Sequence, residues 1–125
     1  MHLIIQTKEA PAAIGPYSQG IVSGDLVFVS GQLGLDPQTG EMKGADLESQ
    51  ARQALSNLQA VLKAAECDLH HVTAVDVFLT DMDAFAQFNA IYESYFDTHK
   101  PARAVVGVKS LPKNALVEIK CMAHR

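Results

Sequence analysis

Apolar residues alternate along some stretches of this chain and recur every third or fourth position along others, and the two rhythms divide it into strands and helices. Leu47, Ala51, Ala54, Leu55, Leu58, Val61, Leu62 and Ala65 recur at spacings of three and four, the mark of a helix with one buried stripe. Arg52, Gln53, Gln59 and Lys63 fall outside that stripe, and Asp46 stands where an N-cap belongs. A second helix is expected after Asp83 as its cap, with Phe85, Phe88, Ile91, Tyr92, Tyr95 and Phe96 as its apolar side. Residues 72–79 between the helices read as a strand with Thr73, Val75, Val77 and Leu79 on one face. Residues 3–5 read as a short edge strand, 11–20 as a loop, 26–30 as a strand and 36–40 as a turn. Strands, helix, strand, helix, strands is an α+β order, and it predicts a mixed β-sheet with two helices on one face.

The last quarter alternates most clearly. Ala104, Val106 and Val108 are apolar, as are Ala115, Val117, Ile119 and Cys121. Residues two apart share a face of a strand, so both sets are expected to face the core. Arg103, Val105 and Gly107 then point the other way with Leu116, Glu118 and Met122. A turn near 110–114 would make an antiparallel hairpin with Glu118 opposite Val105 or Gly107, and in the first register Arg103 is its diagonal neighbour. The plain reading of that pair is a cross-strand salt bridge on a wet sheet, worth about 0–1 kcal/mol. The alternative is an arginine and a carboxylate with room for a small anion and a water between them. A face that is half apolar with embedded charges also suits a subunit interface.

Composition narrows the classes. A length of 125 residues suits a single domain, 1–125, and 48% hydrophobic with 19% charged residues is globular and able to bury a core without staples. Cys67 and Cys121 lack metal-ligand spacing, and Cys121 falls on the expected core face as a buried free thiol. No apolar run approaches the roughly 18 residues of a membrane span, and the first residues lack a secretory pattern, so a reducing cytoplasmic setting is expected. The net charge of −4, without a Lys or Arg cluster, counts against nucleic acid as the main partner. The histidines form no constellation: His70 and His71 are adjacent, His2 and His124 lie near the termini, and His99 reads as a solvated loop residue. With no phosphate loop, nucleophile elbow or paired metal spacing, no cofactor and no metal are expected.

Several motifs coincide in order along the whole chain. They are Ala10-Pro11-Ala12-Ala13-Ile14-Gly15-Pro16-Tyr17-Ser18-Gln19, Val29-Ser30-Gly31-Gln32, the Gln50 to Asn57 run, Phe88-Asn89-Ala90-Ile91-Tyr92, Pro101-Ala102-Arg103, Leu111-Pro112-Lys113 and Val117-Glu118-Ile119. Together they resemble the Rid family, the reactive-intermediate imine deaminases also called the YjgF family. The resemblance implies a chorismate-mutase-like fold and a homotrimer with sites in clefts between subunits. It implies that Arg103 binds the carboxylate of a 2-imino acid through its planar fork. It gives Glu118, with the backbone carbonyl of Val105, the attacking water. Many relatives carry cysteine where Val105 stands, which excludes a thiol mechanism here but keeps the carbonyl. Tyr17, Ser30, Gly31 and Asn89 are implied at the substrate pocket, although from the residues alone Tyr17 reads more readily as simple packing, and Asn89 equally as a tie between helix and loop.

The implied activity is that of a 2-iminobutanoate/2-iminopropanoate deaminase, releasing a 2-keto acid and ammonia and protecting metabolism from reactive enamines. Small 2-imino or 2-keto acids are the expected ligands, with no membrane partner. Two other classes stay open: an endoribonuclease-type translation inhibitor, and a non-catalytic sensor of small carboxylates. A sensor needs the arginine clamp, whereas only hydrolysis needs the water held at Glu118.

Overall fold

A computed structural model describes residues 2–125. Their elements are β1 His2–Ile5, β2 Gly20–Ser23, β3 Leu26–Gln32, α1 Leu47–Ala64, β4 Val72–Leu79, α2 Phe85–Tyr95, β5 Ala102–Gly107 and β6 Val117–His124. The strands form one sheet in the order β1-β2-β3-β6-β4-β5. Strands β4 and β5 run parallel and the other neighbours antiparallel. This is the α+β architecture with a mixed sheet that the periodicities imply.

Helix α1 starts where expected, with the Asp46 carboxylate accepting from the Ser49 backbone N–H at 3.0 Å. All eight residues of its apolar stripe are buried. Facing them are alternate residues of the central strands: Val27 and Val29 of β3, and Val117, Ile119, Cys121 and Ala123 of β6. Each fully buried Val, Leu or Ile among them stabilises the fold by about 1.5–3 kcal/mol. Helix α2 adds Phe88, Ile91 and Tyr92, and Phe96 follows just past its end; of the rest of its expected stripe, Phe85 at the first turn is exposed and Tyr95 is half-buried.

Four local expectations change. Residues 20–23, absent from the expected strands, form β2, joined to β3 by a hairpin turn with Gly24 at φ +60°. Asp83 is not the cap of α2; Asp81 accepts from the Asp83 N–H at 2.9 Å and caps a short 3₁₀ turn leading into the helix. Thr73 does not share a face with Val75, because the β4–β6 register shifts between Val72 and Ala74 and turns Val72 inward instead. His99 is half-buried rather than solvated, its Nε2 lying 2.6 Å from the Val72 carbonyl oxygen.

The largest correction concerns the C-terminal strands. Strands β5 and β6 do not pair; β4 lies between them. Residues 80–101 with α2 supply the long crossover that a parallel β4–β5 pair requires. Strand β6 instead enters the middle of the sheet, where both of its edges are hydrogen-bonded. Arg103, Val105 and Gly107 align with Val75, Val77 and Leu79, so they lie on the helix side of the sheet. Ala104 and Val106 face outward with Phe28, Phe78, Glu118 and Met122. The parity expected for β5 is thus inverted, and Arg103 and Glu118 are on opposite faces. On an edge strand both rows are partly apolar, and alternation alone does not say which one the core takes.

The segment after β3 runs hard against α1. A Cβ on Gly34 would come within 2.5 Å of the Gln50 carbonyl oxygen and 2.6 Å of its Cα. Gly34→Ala is therefore expected to destabilise the protein by about 1–3 kcal/mol through overpacking, read as a lower midpoint in urea. An unchanged midpoint would show that the loop does not press on the helix.

Candidate functional site

The residues singled out in the sequence fall into two separate half-sites. The first gathers Tyr17, Ser30, Gly31 and Glu118 in a cleft of about 520 Å³, walled by Ala12, Ile14, Leu33, Leu35 and Pro112, with Lys113 at its rim. The second gathers Asn89 and Arg103 with Tyr92, Glu93, Phe96, Lys100 and Pro101 in a cleft of about 330 Å³. Val105 follows Arg103 on the same face and packs against the core. A further cleft of about 560 Å³ runs along β1 and residues 6–19, shares Tyr17 with the first half-site and has only Lys8 as a charged lining group.

Glu118 owes its position to a flaw in the sheet. Strand β3 pairs Val29 with Cys121 and Gln32 with Ile119. Two residues, Ser30 and Gly31, therefore oppose the single residue Lys120, which is a β-bulge. At the bulge the backbone of Gly31 lies so close to Glu118 that a Cβ there would overlap the carboxylate. Glycine is required at that position by contact rather than by φ. The carboxyl is half-buried against apolar walls, and burial pushes its pKa above the usual carboxylate range, with Lys120 opposing the shift. A carboxylate of raised proton affinity beside an apolar cleft is a stronger base than a carboxylate in water.

The Tyr17 loop is tied down by polar contacts from the same bulge. The Ser30 hydroxyl donates to the Ser18 carbonyl at 2.5 Å and the Ser30 N–H donates to the Gln19 carbonyl at 2.9 Å. Ser30 thus holds the wall rather than offering a free hydroxyl. The buried Gln19 amide accepts from the Thr7 N–H at 2.8 Å and donates to the Pro11 carbonyl at 2.8 Å. Tyr17 remains 54% exposed at the mouth of the cleft, so its ring is available to a ligand or a second chain. On the opposite rim, Lys113 and Asn114 adopt left-handed φ values of 57° and 55°. Strain of that kind in a lysine is held by its surroundings and is common beside ligand sites.

In the second half-site, Arg103 Nη1 donates to Asn89 Oδ1 at 2.9 Å. The guanidinium also lies 4.7 Å from the centre of the Tyr92 ring and 5.9 Å from that of Phe85. Among the described residues no carboxylate pairs with it. Since Asn89, a lining residue of the cleft, turns its oxygen to the arginine, its Nδ2 donors take no part in that bond. The arrangement presents planar donors and a positive charge to an anion, the geometry that grips a carboxylate by two parallel hydrogen bonds.

The sequence reading left Gln50 and Asn57 without roles. Both are buried on α1, with 3% and 1% exposure, and both bond to backbone of the segments that flank Glu118. Their signal was visible: positions 50, 54, 57 and 61 share one helical phase, so two amides sit within the apolar stripe. No group of three or more His, Cys, Asp or Glu able to hold a metal occurs among the described residues.

Comparison with known proteins places this geometry in a family. A family model described as endoribonuclease L-PSP matches residues 7–125. A RutC family protein of Pyrococcus horikoshii is 46% identical over 125 residues, covering 100% of this chain and 99% of that protein. A Mus musculus protein named 2-iminobutanoate/2-iminopropanoate deaminase is 45% identical over 120 residues, covering 96% of this chain and 89% of its own length. The crystal structure of E. coli TdcF with bound serine is 44% identical and superposes with a TM-score of 0.94 over 98% of both chains.

One polar atom beside Arg103 has no partner. The Tyr92 hydroxyl is buried and unbonded, and burial pushes its pKa up to about 12. Tyr92→Phe removes that orphan and keeps the aromatic face under Arg103. It is expected to raise stability by about 1 kcal/mol in thermal unfolding. A loss of similar size would mean that the hydroxyl is bonded in solution.

Proposed function

Because this chain belongs to the endoribonuclease L-PSP family, the group of the Rid and YjgF proteins, we propose that it hydrolyses small 2-imino acids to 2-keto acids and ammonia. The observation that carries the reading is the pair of half-sites, each lacking what the other holds. One has an unpaired guanidinium with free amide donors. The other has a carboxylate of raised proton affinity on an apolar wall. In this reading three copies associate so that Arg103 and Asn89 of one subunit close over Tyr17, Gly31 and Glu118 of the next. The exposed apolar row Leu26, Phe28, Val106 and Met122 supports a subunit contact on the outer sheet face. Serine in the related TdcF structure is a small molecule with a carboxylate, which agrees with a ligand of this class.

The chemistry follows from those groups. Arg103 and the Asn89 Nδ2 hold the substrate carboxylate and so fix C2 beside Glu118. Glu118, aided by the Val105 carbonyl, orients a water. The water oxygen bonds to C2 as its proton passes to Glu118 and the C=N electron pair moves to nitrogen. Glu118 then returns the proton to the nitrogen, giving a carbinolamine; it next takes the remaining hydroxyl proton and passes it to the nitrogen as the C–N bond breaks, so that ammonia leaves and the C2 oxygen becomes the keto group. The imine is already electrophilic, so orientation and successive proton relays through one carboxylate suffice.

Variants separate binding from chemistry. Arg103→Ala is expected to abolish both 2-oxobutanoate binding in calorimetry and hydrolysis in an amino acid oxidase-coupled imine assay. Arg103→Lys restores hydrolysis only in part, because a point charge does not reproduce the fork. Glu118→Gln keeps keto acid binding while the rate falls by about 10²–10⁴. In wild type the rate declines as pH falls through the Glu118 pKa, above the ordinary carboxylate range, and that limb is absent from Glu118→Gln. Wild-type rates in Glu118→Gln would sink the mechanism. A wild type that binds the keto acid but leaves imine lifetimes unchanged would make the protein a sensor.

Assembly is tested independently. Sedimentation equilibrium is expected to give a trimer at micromolar concentration. Mixing Arg103→Ala and Glu118→Ala subunits after mild dissociation is expected to regain a fraction of the activity, since some sites then pair an intact Arg103 with an intact Glu118. A monomer, or no regain from a mixed oligomer, would rule out shared sites.

A further inference from the structure

The strand ladder cannot by itself fix the gap between Gly31 and Glu118, because the bulge at Ser30 and Gly31 interrupts it at that point. Helix α1 takes over. The Asn57 Nδ2 donates to the carbonyls of Leu33 at 3.0 Å and Leu35 at 2.9 Å, just beyond the bulge. Two turns earlier on the same side of the helix, Gln50 Oε1 accepts from the Leu116 N–H at 2.8 Å, two residues before Glu118. Each amide is completed at its other end. Gln53 Nε2 donates to Asn57 Oδ1 at 2.8 Å, and Gln50 Nε2 donates to the Gly44 carbonyl at 2.9 Å. One rigid helix therefore grips the chain on both sides of the carboxylate through amides that are almost wholly buried.

We propose that Asn57 and Gln50 are positioning residues for Glu118, setting the distance between its carboxylate and the Leu33–Leu35 wall in place of the interrupted strand pairing. The Leu33 and Leu35 side chains line the Glu118 cleft, so a carbonyl released from Asn57 moves the wall itself. Loss of either amide also strands buried backbone groups, which then draw water toward the carboxylate. The proposal rests on the reading of Glu118 as the group that moves the proton. Charged or titratable groups around Glu118 are Lys120 on its own strand, Asp76 opposite Lys120 on β4, Lys113 and Tyr17 at the rim and, in the proposed assembly, Arg103 of the adjacent subunit. None is altered by the substitutions below.

Asn57→Leu and the milder Asn57→Ser and Gln50→Leu would be compared with Val61→Ala, which opens a cavity in the same helix without touching either clamp. Two readouts apply: kcat and KM for imine hydrolysis, and the titration of the Glu118 carboxyl followed by ¹³C NMR. The clamp variants are expected to lower kcat by about 10- to 100-fold with a smaller change in KM. Their Glu118 titration is expected to shift down toward the ordinary carboxylate range as the site hydrates. Val61→Ala should lower Tm and move neither readout. If the clamp variants behave like Val61→Ala, the amides are structural only and the proposal fails. If Asn57→Leu does not fold, Asn57→Ser and Gln50→Leu decide. If wild type hydrolyses no imine, the reaction assignment fails while the Glu118 titration still decides the clamp.

Discussion

Helix α1 lies across β3 and β6, and that contact carries the rest of the structure. Its apolar stripe meets the inner row of Val27, Val29, Val117, Ile119 and Cys121 with almost no exposed surface between them. The same stripe contains Gln50 and Asn57, whose burial is costly unless every donor and acceptor is met. Loop backbone at Gly44, Leu33, Leu35 and Leu116 meets them, together with the Gln53 side chain, which donates to the Asn57 oxygen. Packing and polar satisfaction therefore demand the same placement of the helix, and the loops around Glu118 inherit their positions from it.

The two ionic groups of the site are kept apart by the sheet. Arg103 lies on the edge strand β5, on the helix side; Glu118 lies on the central strand β6, on the outer side. Direct pairing within the chain would neutralise both. Separated, the guanidinium rests on Tyr92 and Asn89 with no carboxylate partner, and the carboxylate holds its proton more tightly than one in water. Each cleft lacks the group that the other holds. Together with the apolar row on the outer face, this is why a second copy of the chain enters the proposed mechanism as a source of catalytic groups.

Cys67 and Cys121 are buried, and burial pushes the Cys121 thiol up to about 12, so it packs as a small apolar residue. Among the described residues no helix is long and apolar enough to cross a membrane.

The helices, the buried stripe of α1, the Asp46 cap and the inner row of β6 were legible in the sequence, and its motifs supplied the candidate residues, most of which line the two clefts. These are local: periodicity, capping and motif residues report on neighbours a few positions away. Strand order was not legible. Whether β5 pairs with β6 across a short turn or with β4 through α2 depends on contacts distant in sequence, and an edge strand with two partly apolar rows carries no parity signal strong enough to choose. That choice moved Arg103 to the face opposite Glu118 and split one expected site into two. The bulge at Ser30 and Gly31, and the amides that take over from the broken ladder there, were likewise set by tertiary packing. A one-residue change of register and the partner of a buried amide are decided only when distant segments come together.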